Sequence, residues 1–304
     1  MSNDVVAPTL EAGPPASQVN YRELALRHGL SVSGSRTSLR DYVQQLWDRR
    51  HFIVAFSKAK LTAQYSQAKL GQIWQVATPL LNAGVFYLVF GVLLAAKRGV
   101  DDYIPFLVTG VFTWTYINSC VTAGVKSISG NLGLIRALHF PRASLPIALC
   151  IQQLQQLFYS LIVLFVILFA FGVPPTMHYF FMIPTLILAS TFSWGLALIV
   201  ARAGSNTPDL AQLMPFLLRT WMYLSGVMYD LTTKAQHMPK EIRGLLPMNP
   251  AAVYIDLMRY ALIDSFKSSQ LPPHVWPLAL GWALVVGLGG FVYFWRAEET
   301  YGRG

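Results

Sequence analysis

The residue types that carry covalent or metal chemistry are present in this 304-residue chain but never at a working spacing. His28, His51, His139, His178, His237 and His274 are scattered, form no His-Glu-x-x-His pair, and fall into no Ser, His, Asp group. Cys120 and Cys150 stand singly in or beside apolar runs, without the spacing of a zinc site or a disulfide framework. Gly29 and Gly34 have the spacing of a phosphate loop's glycines, yet Ser35-Arg36 follow where Lys-Ser/Thr is required and no strand precedes them. No catalytic residue and no metal ligand are therefore expected. What remains is the chemistry of cations meeting anions. Lys126, Arg136 and Arg142 sit in and beside a short hinge, Ser127 to Pro146, between two long apolar runs. A second set, Arg40, Arg49, Arg50, Lys58, Lys60 and Lys69, precedes the first long apolar run, where anionic lipid head groups or a pyrophosphate are the natural partners.

The elements that position these cations belong to a membrane. With 54% hydrophobic and 12% charged residues, the chain has more apolar surface than one soluble core can hide. The net charge of +9 gathers in segments flanking the apolar spans, which argues for a membrane surface and against nucleic acid. Residues 1–38 are polar, with Gly13-Pro14-Pro15 and a Ser/Gly/Arg stretch, and read as a flexible cytoplasmic tail rather than a signal peptide. From Leu39, the apolar residues Tyr42, Val43, Leu46, Trp47, Ile53 and Val54 recur at helical spacing, opposite Arg40, Asp41, Gln44, Asp48 and Arg49. Residues 39–72 are thus expected to form an amphipathic interface helix and linker, and residues 73–304 a transmembrane domain.

That domain should be all-α with six transmembrane helices: Ile73 to Ala96, Ile104 to Val125, Pro146 to Phe171, Tyr179 to Val200, Leu210 to Tyr229 and Val275 to Trp295. Lysine and arginine bias places the tail, the hinge, the Arg202 loop and the C-terminus in the cytoplasm. The hinge reads as a short helix at that face, with Leu132, Ile135 and Leu138 on one side and Phe140-Pro141 ending it; an ordinary interhelical loop is the alternative. Between Asp230 and His274, Leu231 to Arg243 and Asn249-Pro250 to Phe266 look like two short helices, broken at Pro247 and Pro250, that could dip into the outer leaflet and return; a solvated extracellular loop is the alternative. Asp256 and Arg259, three apart, can pair there. Arg219, inside span five, is a functional candidate unless it snorkels to the head groups.

The spacing Asn131, Leu134-Ile135-Arg136, Phe140-Pro141-Arg142 and Pro146 resembles the first cytoplasmic loop of the ABC-2 type permeases that export polysaccharides such as O-antigen and teichoic acid. Tyr65 to Leu81 resembles the same family's entry into its first span, with Ala68-Lys69 ahead of Leu70-Gly71, and Gly110 and Trp114 match in span two. The resemblance covers Leu39 to Trp295; Gly226 departs from it, standing where a proline is frequent. It implies a homodimer in the bacterial cytoplasmic (inner) membrane, both termini cytoplasmic, joined to two ATPase subunits that hold ATP and Mg, with no cofactor in this chain. Asn131, Leu134, Ile135, Arg136, Phe140, Pro141 and Arg142 would form the coupling helix that docks on the ATPase. Asn249, Pro250, Asp256 and Arg259 would belong to a re-entrant helix pair forming the outer gate. The cargo would be a polysaccharide linked to a polyprenyl pyrophosphate, gathered at the interface cations if these do more than anchor the helix to lipid. Phe86, Phe90, Phe112, Tyr116, Phe216 and Tyr223, on spans one, two and five, would offer flat rings to passing sugars. Overall similarity extends to the galactan exporters of actinobacteria. The competing classes are a drug or lipid exporter of the same superfamily and a membrane glycosyltransferase, which would want paired acidic residues for a metal-bound sugar nucleotide.

Overall fold

Apolar runs of twenty or more residues fold as helices because only a helix satisfies every backbone group within one segment of chain. The computed structural model describes residues 37–66, 69–93, 102–138, 140–231 and 246–301, and among these the regular structure is helical throughout, with no strand.

The expected amphipathic helix is two helices. Helix α1 (Leu39–Asp48) starts at Ser38, whose hydroxyl accepts the Asp41 N–H at 3.2 Å and donates to the Asp41 carboxylate at 2.6 Å. After a break at Arg49, α2 (Arg50–Ser66) buries Ile53, Ser57 and Leu61, a stripe four residues apart. Helix α3 (Trp74–Phe86) continues as a π-helical turn, Tyr87–Leu93, and so fills the expected first span as far as the described residues run. Next come α4 (Tyr103–Val125), the hinge helix α5 (Leu132–Ala137), α6 (Ser144–Ala170) and α7 (Met182–Asn206) with its lead-in turn Met177–Phe181. Helices α8 (Leu210–Leu224), α9 (Pro250–Leu262) and α10 (Val275–Trp295) follow among the described residues.

Among the described residues, four segments are long and apolar enough to cross a membrane: Tyr103–Val125, Ser144–Ala170, Met177–Asn206 and Val275–Trp295. The fifth expected span is shorter than its sequence suggests. Helix α8 ends at Leu224 because Gly226 adopts a left-handed φ of +63° and turns the chain before Tyr229. The departure at Gly226 thus keeps a bend by other means, since proline is locked near −65° and cannot take this conformation.

Close backbone approach holds α7 against α10. A Cβ on Gly195 would lie 2.2 Å from the Val286 carbonyl oxygen, and one on Gly290 would lie 2.2 Å from the Gly195 carbonyl oxygen. The main core surrounds α4, whose Phe106, Leu107 and Ile117 are sealed from solvent. A second core lies at one end of the bundle, where Tyr42, Ile53, Ile128, Ile135, Ala143, Leu198, Phe294 and Tyr301 pack together. That end therefore gathers α1 and α2, the hinge, the last turns of α7 and the end of α10.

Candidate functional site

The hinge is built from its two anchored ends inward. At its entry, the Ser127 hydroxyl donates to the Gly124 carbonyl at 2.7 Å and the Asn131 side-chain amide to the Ser127 carbonyl at 2.8 Å, which satisfies carbonyls left open where α4 stops. Ile135 is buried, Leu132 and Leu134 are half-buried, and the Phe140 ring lies 5.4 Å from that of Phe52 on α2. Pro141 is buried. Arg136 and Ala137 are exposed. The expected apolar face of Leu132, Ile135 and Leu138 is cut short, because α5 ends at Ala137 and Leu138 is extended (φ −127°, ψ 142°) and exposed. His139 lies outside the described residues.

At the hinge's exit stands a residue that the sequence reading missed. Glu298, in the turn after α10, accepts the Arg142 backbone N–H at 2.8 Å and the Tyr42 hydroxyl at 2.7 Å, and its carbonyl accepts from the Arg142 guanidinium. Burial pushes the Glu298 carboxyl above the ordinary glutamate range, opposed by the Arg142 N–H, the Tyr42 hydroxyl and the Arg142 charge. Burial likewise pushes the Tyr42 hydroxyl well up, and the Glu298 charge adds to it. The only signal in the sequence was an acidic pair, Glu298-Glu299, in an otherwise basic C-terminal stretch.

Toward the other end of α4 lies α9. Asn249 caps it by accepting the Ala251 N–H at 3.2 Å, while the same oxygen accepts Trp221 Nε1–H at 2.9 Å and the amide nitrogen donates to the Leu224 carbonyl and the Ser225 hydroxyl. Pro250 occupies the first helical position, where its missing N–H costs nothing. Asp256 and Arg259 pair as their spacing predicts, at 3.1 Å, but both are buried. The guanidinium also donates to the Phe106 and Val227 carbonyls at 3.2 and 2.7 Å and lies 3.4 Å over the Phe106 ring. Gly110 leaves it room, since a Cβ there would meet Arg259 Nη2 at 2.5 Å. The partner helix expected over Leu231 to Arg243 lies outside the described residues from position 232 onward.

Of the interface cations, Arg40, Arg49, Arg50, Lys58 and Lys69 are exposed and Lys60 is half-buried. Arg50 lies 5.3 Å over Trp47 and Lys60 lies 5.2 Å over Phe56. Arg219 is exposed on α8. The five candidate pathway aromatics whose side chains are described do not share one surface of the chain. Phe112 and Tyr116 are buried, and the Tyr116 hydroxyl donates to Ser190 at 2.9 Å while accepting from Trp194 at 3.2 Å. Phe86 is half-buried, Phe216 and Tyr223 are 68% and 56% exposed, and the Phe90 side chain lies outside the described residues.

Residues 52–263 match the model of a family described as ABC-2 type transporter, which is more than half of the chain and includes the hinge and α9. The chain belongs to the ABC-2 type transporter family. Curated relatives of this transporter include O-antigen export system permease proteins RfbA of Myxococcus xanthus, 26% identical over 208 residues (68% of this chain, 78% of the relative), and of Klebsiella pneumoniae, 24% identical over 204 residues (67% and 76%). The polysialic acid transport protein KpsM of Escherichia coli is 20% identical over 212 residues (69% and 80%).

Within the matched region this transporter carries a polar seam that sequence reading passed over. Gln152, Gln155 and Gln156, three and four apart on α6, turn toward α2 and α3 inside an otherwise apolar span. They reach Gln64 at 3.1 Å, the Ser57 hydroxyl at 3.3 Å and the Gln75 carbonyl at 3.0 Å. These bonds fix the amphipathic helix to the third span and explain why Ser57 lies within its buried stripe. Cys120 and Cys150 are both buried free thiols, consistent with packing residues.

Proposed function

We propose that this chain is the membrane permease subunit of a bacterial exporter that carries a lipid-linked polysaccharide, of O-antigen, teichoic acid or galactan type, out of the cytoplasm. ATP and Mg are handled by two separate ATPase subunits, and the permease makes and breaks no covalent bond. The observation that carries this reading is the set of relatives above, named for O-antigen export and polysialic acid transport, each matching about two thirds of this chain.

The fold supports the topology that this function needs. The N-terminal described helix and the end of α10 meet at the hinge end, through the Tyr42 bond to Glu298 and through Trp295 Nε1–H to the Thr37 carbonyl at 3.2 Å. Arg202 joins them there, donating to the Tyr293 carbonyl at 2.6 Å. Basic segments collected at one end favour that end as the cytoplasmic one, in keeping with a chain that begins and ends inside. Six crossings fit this connectivity. With α4 ending at the hinge and starting outside, α3 carries the chain outward; with α7 ending inside and α10 starting outside, α8 does the same.

The exposed side of α5 around Arg136 docks on the ATPase, with Asn131, Leu134, Ile135, Phe140, Pro141 and Arg142 holding it in register. Helix α9, buried around its whole circumference yet too short to cross, forms the outer gate with Asn249, Pro250, Asp256 and Arg259. Exposed apolar residues on α3 (Leu81, Val85) and α8 (Leu217) supply the faces for a second copy, and Phe86, Phe216 and Tyr223 offer rings to the polymer between them. Arg40, Arg49, Arg50, Lys58, Lys60 and Lys69 gather the pyrophosphate of the lipid carrier at the head groups.

Reconstitution tests the reading. Vesicles holding this permease with its ATPase partner should move lipid-linked polymer on addition of ATP, and Arg136→Glu should stop that movement while the permease still inserts and dimerises. Movement of an apolar dye without movement of polymer would favour the drug-exporter alternative.

A further inference from the structure

Where the hinge joins α6, the helix lacks a side-chain cap of its own, because Ala143 stands at the N-cap position. Adjacent N–H groups of Arg142 and Ala143 are left at the positive end of a 27-residue helix dipole. Both are satisfied from distant parts of the chain. The Arg142 N–H donates to Glu298 Oε1 at 2.8 Å, the Ala143 N–H donates to the Tyr42 hydroxyl at 3.1 Å, and that hydroxyl donates in turn to Glu298 Oε2 at 2.7 Å. Carboxylate, phenol and two successive peptide groups thus close a ring of three hydrogen bonds, so that Glu298 caps α6 from across the molecule.

The ring is largely shielded. Tyr42 is 2%, Ala143 0% and Glu298 7% exposed, with Arg142 half-buried, so losing one partner would leave buried polar atoms unmatched. The pieces it joins are 101, 156 and 256 residues apart in sequence. Surrounding contacts reinforce them: Tyr42 lies 6.0 Å from the Phe291 ring, and Tyr301 stacks on Phe294 at 4.5 Å. Both Tyr42 and Glu298 fall outside the stretch 52–263 that matches the family, so the lock is made by flanking residues acting on a hinge inside it.

A six-residue helix transmits a push only when neither of its ends can flex. The entry is fixed to α4 by Asn131 and Ser127. We propose that Glu298 is a positioning residue for energy coupling: with Tyr42 it locks the exit of the hinge to the amphipathic helix and to the end of the last span, so that displacement of the hinge moves α1, α6 and α10 as one body. The proposal rests on the reading that the ATPase docks at the hinge.

The test uses the permease assembled with its ATPase partner in phospholipid vesicles, with polymer export and ATP hydrolysis measured on the same preparation. Glu298→Ala removes two hydrogen bonds of the ring and is expected to lower polymer exported per ATP roughly tenfold, while hydrolysis and assembly hold. Tyr42→Phe, which removes one hydroxyl and keeps the ring, should lower the same ratio, and adding it to Glu298→Ala should lower it no further, because both break one ring. Glu298→Gln, which still offers an acceptor to the Arg142 N–H, should recover most of the coupling. A residue that merely supports the fold would lower assembly, hydrolysis and export together and leave the ratio unchanged. An unchanged ratio in Tyr42→Phe overturns the proposal, even where Glu298→Ala fails to fold. Arg136→Glu separates the lock from the reading beneath it. Export lost in that variant, with normal ratios in the Glu298 and Tyr42 variants, refutes the lock alone; normal export and assembly in Arg136→Glu removes the docking reading and the lock with it.

Discussion

Replacing Arg259 by methionine removes a side chain that ties α9 to both α4 and the turn after α8. Three bonds go at once, to Asp256 at 3.1 Å, to the Phe106 carbonyl at 3.2 Å and to the Val227 carbonyl at 2.7 Å, together with the stacking on Phe106. Arg259 is 0% exposed, so solvent screening does not reduce the loss. Breaking a buried ion pair from one side costs about 3–5 kcal/mol, because the remaining charge is stranded. Removing both charges is different. With Asp256→Leu added, no charge is left alone, and the residual cost is about 1–2 kcal/mol for the under-satisfied carbonyls. The assay is thermal unfolding of the purified permease in detergent, where each kcal/mol moves Tm by roughly 2–4 °C for a chain of this size class. Arg259→Met should therefore lower Tm by about 10 °C, and the double variant should restore more than half of that. A double variant as unstable as the single one would refute the reasoning, since the cost would then lie in lost packing and not in the stranded carboxylate.

Gly195→Leu should prevent α7 and α10 from closing, because the Val286 backbone oxygen and the Gly287 Cα would both lie within 2.5 Å of the new Cβ and neither can yield; the measurement is the yield of monodisperse protein, which should fall sharply. Replacing Arg49, Arg50 and Lys58 together by glutamine should weaken binding of a lipid pyrophosphate by about 1 kcal/mol per cation, measured on the purified complex against a neutral lipid analogue; equal loss for both lipids would mean that these cations only anchor the helix.

Much of this protein was determined by local sequence. Hydrophobic run length places four of the six expected spans on the four long apolar helices of the described residues, within about two residues at every end but that of α7, since a segment that must satisfy its own backbone in lipid has no other regular structure available. Asn249-Pro250 fixed the start of α9 through capping chemistry, and the three-residue spacing fixed the Asp256 pair with Arg259. Tertiary structure decided the rest. Nothing local told that the guanidinium of Arg259 would find the Phe106 and Val227 carbonyls, that Phe112 and Tyr116 would be sealed inside the bundle, or that Leu138 would fall outside its helix. Glu298 is the clearest case. Its role depends on bringing together chain segments separated by as many as 256 residues, and beyond the acidic pair itself a hydrogen-bonded ring across such distances leaves no period or spacing in the sequence by which its partners can be read.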